Sequence, residues 1–127
     1  MKRIEVLADA IGKLFGIHDP TSEAYQLRNP LLIKSFARPG KHETDDKGRR
    51  IFTSLLNGYK AGLFDLELKA SGKSRAKVTP ESPLKDLLAC YEVYTKAAQD
   101  NVVSFVRRGL KDDTISINTP TSYFLES

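Results

Sequence analysis

The chain predicts an α+β domain, predominantly α-helical, with one small β-hairpin. Three observations carry that expectation. Apolar residues recur at helical spacing, first at Ile4, Leu7, Ala8, Ile11, Leu14 and Phe15. Two short strand-like runs, Leu31–Phe36 and Arg50–Thr53, flank a polar connection containing Pro39, Gly40, Asp45, Asp46 and Gly48. Hydroxyl residues at Thr53, Ser54 and Ser82 stand just before further helical patterns, where they suit N-caps.

The first helix is expected over Arg3–Phe15, with Glu5, Asp9 and Lys13 on its polar face. Gly16 is placed to end it in the left-handed conformation. His18-Asp19-Pro20-Thr21-Ser22 is rich in turn formers and reads as a loop. The hairpin follows; because two strands alone are marginal in water, it must pack on helices. A helix over Ser54–Ala70 carries Leu55, Tyr59, Gly62, Leu63 and Leu66 on one face. Gly58 and Gly62 predict close packing there, since a helical glycine costs about 1 kcal/mol relative to alanine. A basic loop runs from there through Thr79. Ser82-Pro83 suggests a helix start with serine as cap and proline first inside, followed by a buried stripe of Leu84, Leu87, Leu88 and Tyr91. The last helix enters near Asp100-Asn101, carries Val102, Val103, Phe105 and Val106, and has Gly109 placed to stop it. The expected organisation is one domain over residues 1–110, with 111–127 as a C-terminal extension packed on it or peripheral to it. Within that extension Tyr123-Phe124-Leu125 offers an apolar anchor.

With 127 residues, the chain is large enough for a real core. No window approaches the ~18 consecutive apolar residues of a membrane span. The N-terminal MKRIEVLADAIGKLF is broken by Glu5, Asp9 and Lys13, so a signal peptide is not expected. Localisation stays open between the cytoplasm and a virion- or secretion-associated setting. Cys90 is the sole cysteine and reads as a small buried hydrophobe. With only His18 and His42 beside it, no metal-ligand spacing appears, and neither metal nor cofactor is expected. The net charge is +4, with cations at Lys69, Lys73, Arg75 and Lys77 and at Arg107-Arg108. Such clusters suit anionic polymers, peptidoglycan among them. Aromatics interleaved for base stacking are missing there, which argues against nucleic acid.

One block carries more than composition. Arg28-Asn29-Pro30 precedes Gly48–Leu66, GRRIFTSLLNGYKAGLFDL, and the block resembles the lysozyme-like domains of bacteria and phages. In that family an Asn-Pro turn leads into a hairpin whose second strand ends in a Phe-x-Thr/Ser-Leu-x-x-Gly-aromatic segment opening the next helix. Phe52, Thr53, Leu55, Gly58 and Tyr59 match that segment. A Leu-rich helix ending near a Tyr and a final helix after an Asn-containing turn extend the resemblance from about Ile4 to Leu110.

The resemblance implies a peptidoglycan cleft with its general acid, a Glu, at the end of the first helix. Here Phe15 stands in its place. The family's Asn-Pro-Gly-Asn-Leu is also altered, to Asn29-Pro30-Leu31-Leu32-Ile33. Two departures at one cleft favour a lost proton donor, and with it a binding or structural module. Its expected ligands are peptidoglycan or chito-oligosaccharides, with a protein partner as a second candidate. The implied cleft residues are Phe15 as apolar wall, Asn29 as hydrogen-bonder, Tyr59 as stacking floor, and Glu23 and Arg28. Neutralising Lys73 or Lys77 is expected to change glycan binding little. The alternative is an active muramidase or lytic transglycosylase using Glu23 or Asp19 as a relocated acid. A third class is a phage or secretion-associated structural protein that kept only the fold.

Overall fold

The computed structural model describes residues 1–34 and 42–126. Helix α1 (Arg3–Leu14) buries Ile4, Val6, Leu7, Ala8 and Ile11, the stripe its periodicity dictates. It ends as expected at Gly16, whose φ of +80° lets the N–H of Ile17 reach the Gly12 carbonyl at 3.0 Å. A short helix α2 (Glu23–Leu27) follows, missed in the sequence although Ser22 announces it: its Oγ accepts from the Tyr25 N–H at 3.1 Å.

The expected hairpin is not formed. Among the described residues there are no strands, only isolated antiparallel bridges, two of them in this region pairing Lys34 with Arg49 and Thr44 with Arg50. Two local conformations explain it. Leu32 takes a left-handed φ of 51°, so Leu31-Leu32 turns instead of extending. On the opposite side the Asp45 carboxylate accepts from the Lys47 and Arg49 N–H groups and holds residues 45–49 in a tight turn. Ser35 and Phe36 of the expected first strand lie outside the described residues. The correction is to an all-helical fold in the described residues.

Helix α3 (Leu55–Ala70) is capped by Ser54, whose Oγ accepts from the Asn57 N–H at 3.1 Å. Its buried stripe is Gly58, Gly62, Leu66 and Ala70; Leu55, expected on that face, is 46% exposed. The repeat of small residues lets the 28–31 segment lie directly on the helix backbone. In α4 (Leu84–Ala89), Leu84, Leu87 and Leu88 are buried as predicted. Pro83, not Ser82, is the cap residue. Ser82 is turned back on its own loop: its Oγ accepts from the Thr79 N–H, and its carbonyl accepts from the Thr121 N–H and hydroxyl.

Helix α5 (Lys96–Leu110) starts earlier than Asp100 because Thr95 caps it, accepting from the Ala98 N–H at 3.1 Å. Gly109 does not stop it. That residue sits inside the helix against α1, where an added Cβ would lie 2.8 Å from Val6 Cγ1. The chain turns instead at Lys111, with a left-handed φ of 53°. Beyond it Ile115, Thr121 and Phe124 are buried, the last two in a 3-10 turn over Thr121–Leu125 that packs on α1 and α3.

Arg3 pins this tail from α1, donating to the Tyr123 carbonyl and lying 4.1 Å over the Tyr123 ring. Tyr123 in turn donates its hydroxyl to Asp112 at 2.7 Å. Hydrogen bonds from the Thr114 hydroxyl, from Tyr123 and from the Thr114 N–H draw the Asp112 carboxyl down from 3.8 to about 2. A carboxyl lower in the folded than in the unfolded chain adds stability above its unfolded value and loses it as pH falls through its folded value. Asp112→Asn is therefore expected to flatten the acid side of the stability profile between pH 3.8 and about 2. Urea midpoints measured across that window check it; an unchanged slope counts against the Tyr123–Asp112 tie.

Candidate functional site

The end of α1, the turn after Pro30 and the end of α4 enclose a groove of about 780 Å³. Phe15 projects from the α1 C-cap into one wall, beside Leu32, Ile33 and Lys34. The other wall comes from Asp65 and Lys69 of α3, the loop residues Ser74–Ala76, and the stretch from Ala89 to Glu92 with Tyr94. Arg49 is also part of the lining.

Two ion pairs organise this surface. Asp65 Oδ2 accepts from Lys69 Nζ at 2.6 Å and from the buried Tyr91 hydroxyl at 2.7 Å. Lys69 also lies 4.4 Å over the Tyr91 ring, so one helical turn of α3 and the end of α4 are joined by charge, hydrogen bond and ring face together. Burial and the Asp65 charge push the Tyr91 phenol far above its ordinary value, so it serves as a fixed donor. Across the groove Lys34 Nζ meets Glu92 at 3.0 Å. Both lining carboxylates thus face ammonium groups. Cys90 lines the same wall half-buried, and burial pushes its thiol up, away from the thiolate that nucleophilic chemistry needs.

Of the residues expected in the cleft, only Phe15 lines this groove. Glu23 is turned onto Arg49 and Lys47 at the protein surface, and the hydrogen bond from Arg49 holds its carboxyl below the usual value. Asp19 accepts from the Thr21 N–H and hydroxyl in a local turn, which lowers its carboxyl too. A general acid needs the opposite shift, so neither residue is built for the relocated role. Arg28 is the left-handed C-cap of α2, and its carbonyl is wedged under Gly58.

Asn29 is fully buried and makes three hydrogen bonds. Its Nδ2 donates to the Ile33 and Arg50 carbonyls at 3.0 and 2.9 Å, and its Oδ1 accepts from the Ile33 N–H at 3.0 Å. It clamps the turn with three of its four hydrogen-bonding positions, and its full burial keeps it from meeting a sugar. Tyr59 faces Asp9 across α1 and α3; burial, then the Asp9 and Glu5 charges, push it to about 12. Burial likewise raises Asp9, but that carboxyl belongs to the helix interface and not to the groove lining.

Sequence reasoning missed Asp65, Glu92 and Tyr94, and named Lys69 and Arg75 only as members of a basic cluster suited to anionic polymers. The Asp65–Lys69 spacing of one helical turn was the available signal for a structured pair. Among the described residues no His, Cys, Asp and Glu group of three or more could hold a metal, and no helix is long and apolar enough to cross a membrane. Comparison with protein-family models, curated proteins and solved structures finds no match to this chain.

Proposed function

We propose that the chain is a non-hydrolytic, lysozyme-like binding module whose groove takes a segment of an aminosugar polymer such as peptidoglycan. The observation that carries this reading is Phe15, which the end of α1 delivers into the groove and which stands where the lysozyme-like pattern expects an acid. Without a protonated carboxyl beside the glycosidic oxygen, general acid catalysis has no donor. Asp65 and Glu92, the carboxylates of the groove, are each engaged in an ion pair with a lysine. What remains suits binding. Phe15 and the exposed Tyr94 present ring faces for the apolar side of a pyranose, while Lys34, Glu92 and Asp65 supply fixed polar atoms.

Calorimetric or NMR titration with chitohexaose tests the reading. Weak binding is expected, reduced about fivefold or more in Phe15→Ala, equivalent to ~1 kcal/mol of lost contact. Peptidoglycan suspensions should keep their turbidity in the presence of the protein. Absence of binding to chitohexaose and peptidoglycan would remove the module reading. Robust lysis that disappears in Glu23→Gln would establish a relocated acid instead.

A further inference from the structure

We infer that the groove selects acidic saccharides, those with a carboxylate on the sugar, over neutral ones, and that the basic segment 69–77 is the selecting wall. The inference rests on the glycan reading above and adds the charge class of its ligand. Between Lys69 and Lys77 the chain carries four cations, Lys69, Lys73, Arg75 and Lys77, and no acidic residue. Taken alone, that run is a solvated loop; the fold brings Lys69 and residues 74–76 of it to the groove, while Lys73 lines a separate hollow with Glu67. Ser74, Arg75 and Ala76 line the cavity directly, in continuity with Lys69.

The loop is also held in place. Gly72 turns it with a φ of +76°, the Lys73 N–H donates to the Leu68 carbonyl at 3.0 Å, and Ser74 Oγ accepts from the Ala76 N–H at 3.0 Å. Val78 is buried in the core just beyond. A carboxylate entering the groove therefore meets a positioned cationic edge.

The charges of the other walls are balanced locally. Lys34 faces Glu92, and Arg49 is engaged by Glu23 and Asp45 from outside the lining. Arg75 forms no ion pair among the described residues and is exposed on the rim. The uncompensated charge at the groove thus lies on one side and is positive. It acts on a ligand carboxylate over the ~10 Å screening distance of dilute salt and fades as salt is added.

Hyaluronan hexasaccharide and chitohexaose form the test pair, since both carry N-acetylglucosamine and only the first carries carboxylates. At low ionic strength the hyaluronan fragment should bind about fivefold tighter or more. That preference should collapse at high salt and in the Arg75→Gln/Lys77→Gln variant, whose affinity for the hyaluronan fragment should fall several-fold more than its affinity for chitohexaose. Both substituted residues are exposed, so the fold is not at stake. Equal affinity for the two hexasaccharides overturns the charge selection and leaves the glycan module standing. Binding to neither, or salt-sensitive binding to DNA without saccharide binding, overturns the module and the selection together.

Discussion

Gly58→Ala should strongly destabilise the protein. An alanine Cβ at this position would lie 1.8 Å from the Arg28 carbonyl oxygen and 2.9 Å from its carbon. Those atoms are backbone, held by the left-handed turn at Arg28 and by the buried Asn29 beside it, so they have little room to withdraw. Alanine gains ~1 kcal/mol of helix propensity over glycine, too little to offset the overlap. Overpacking a tight contact typically costs ~1–3 kcal/mol, and a backbone clash belongs at or above the upper end. A net loss of about 3 kcal/mol is a large part of a total of ~5–15 kcal/mol. The midpoint of thermal unfolding should fall by roughly 10 °C. Gly62→Ala is the internal control: its new Cβ would meet only the Leu31 side chain, at 3.3 Å, and the change in stability should stay within ~1 kcal/mol. Equal stabilities for the two variants would mean that α3 does not rest on the Arg28 carbonyl.

That contrast shows how far the sequence can be read. The four-residue spacing of Gly58 and Gly62 foretold close approach, and α1 and the Ser54 cap of α3 followed from local pattern and capping chemistry. What approaches Gly58 was not legible, because Arg28 lies thirty residues away and meets it only in the fold. The hairpin expectation failed for a related reason. Leu31, Leu32 and Ile33 are apolar enough for a strand, yet burial of Leu31 against Gly62 and the left-handed turn at Leu32 claim them for a packed turn. At the groove, Phe15 was named from its place at the end of the first helix, while the basic segment was read as a charge cluster without a location. Its role depends on which wall of the molecule residues 74–76 form.

Asn29 poses the sharpest choice between a ligand contact and an architectural clamp, and Asn29→Ala separates them. The substitution removes three hydrogen bonds at once and strands the Ile33 N–H and the Arg50 carbonyl around a fully buried site, while the Ile33 carbonyl keeps the Arg50 N–H. A buried group left without its partner costs ~1–3 kcal/mol, and water or small shifts will satisfy part of the set, so a loss of about 3–5 kcal/mol is expected. Asn29→Asp should do no better. It keeps the acceptor for Ile33 but turns carboxylate oxygen toward two carbonyls that need donors. Denaturant unfolding gives the stability, and amide exchange at Ile33 reports the clamp itself. The Ile33 amide should lose protection even where the rest of the chain stays folded, because its acceptor is gone. Chitohexaose affinity, measured where the variant is still folded, separates the two roles. A clamp outside the groove lining leaves that affinity within about twofold of the unmodified protein. Full stability combined with lost binding would return Asn29 to the sugar, and the clamp would then be the wrong account of its three bonds.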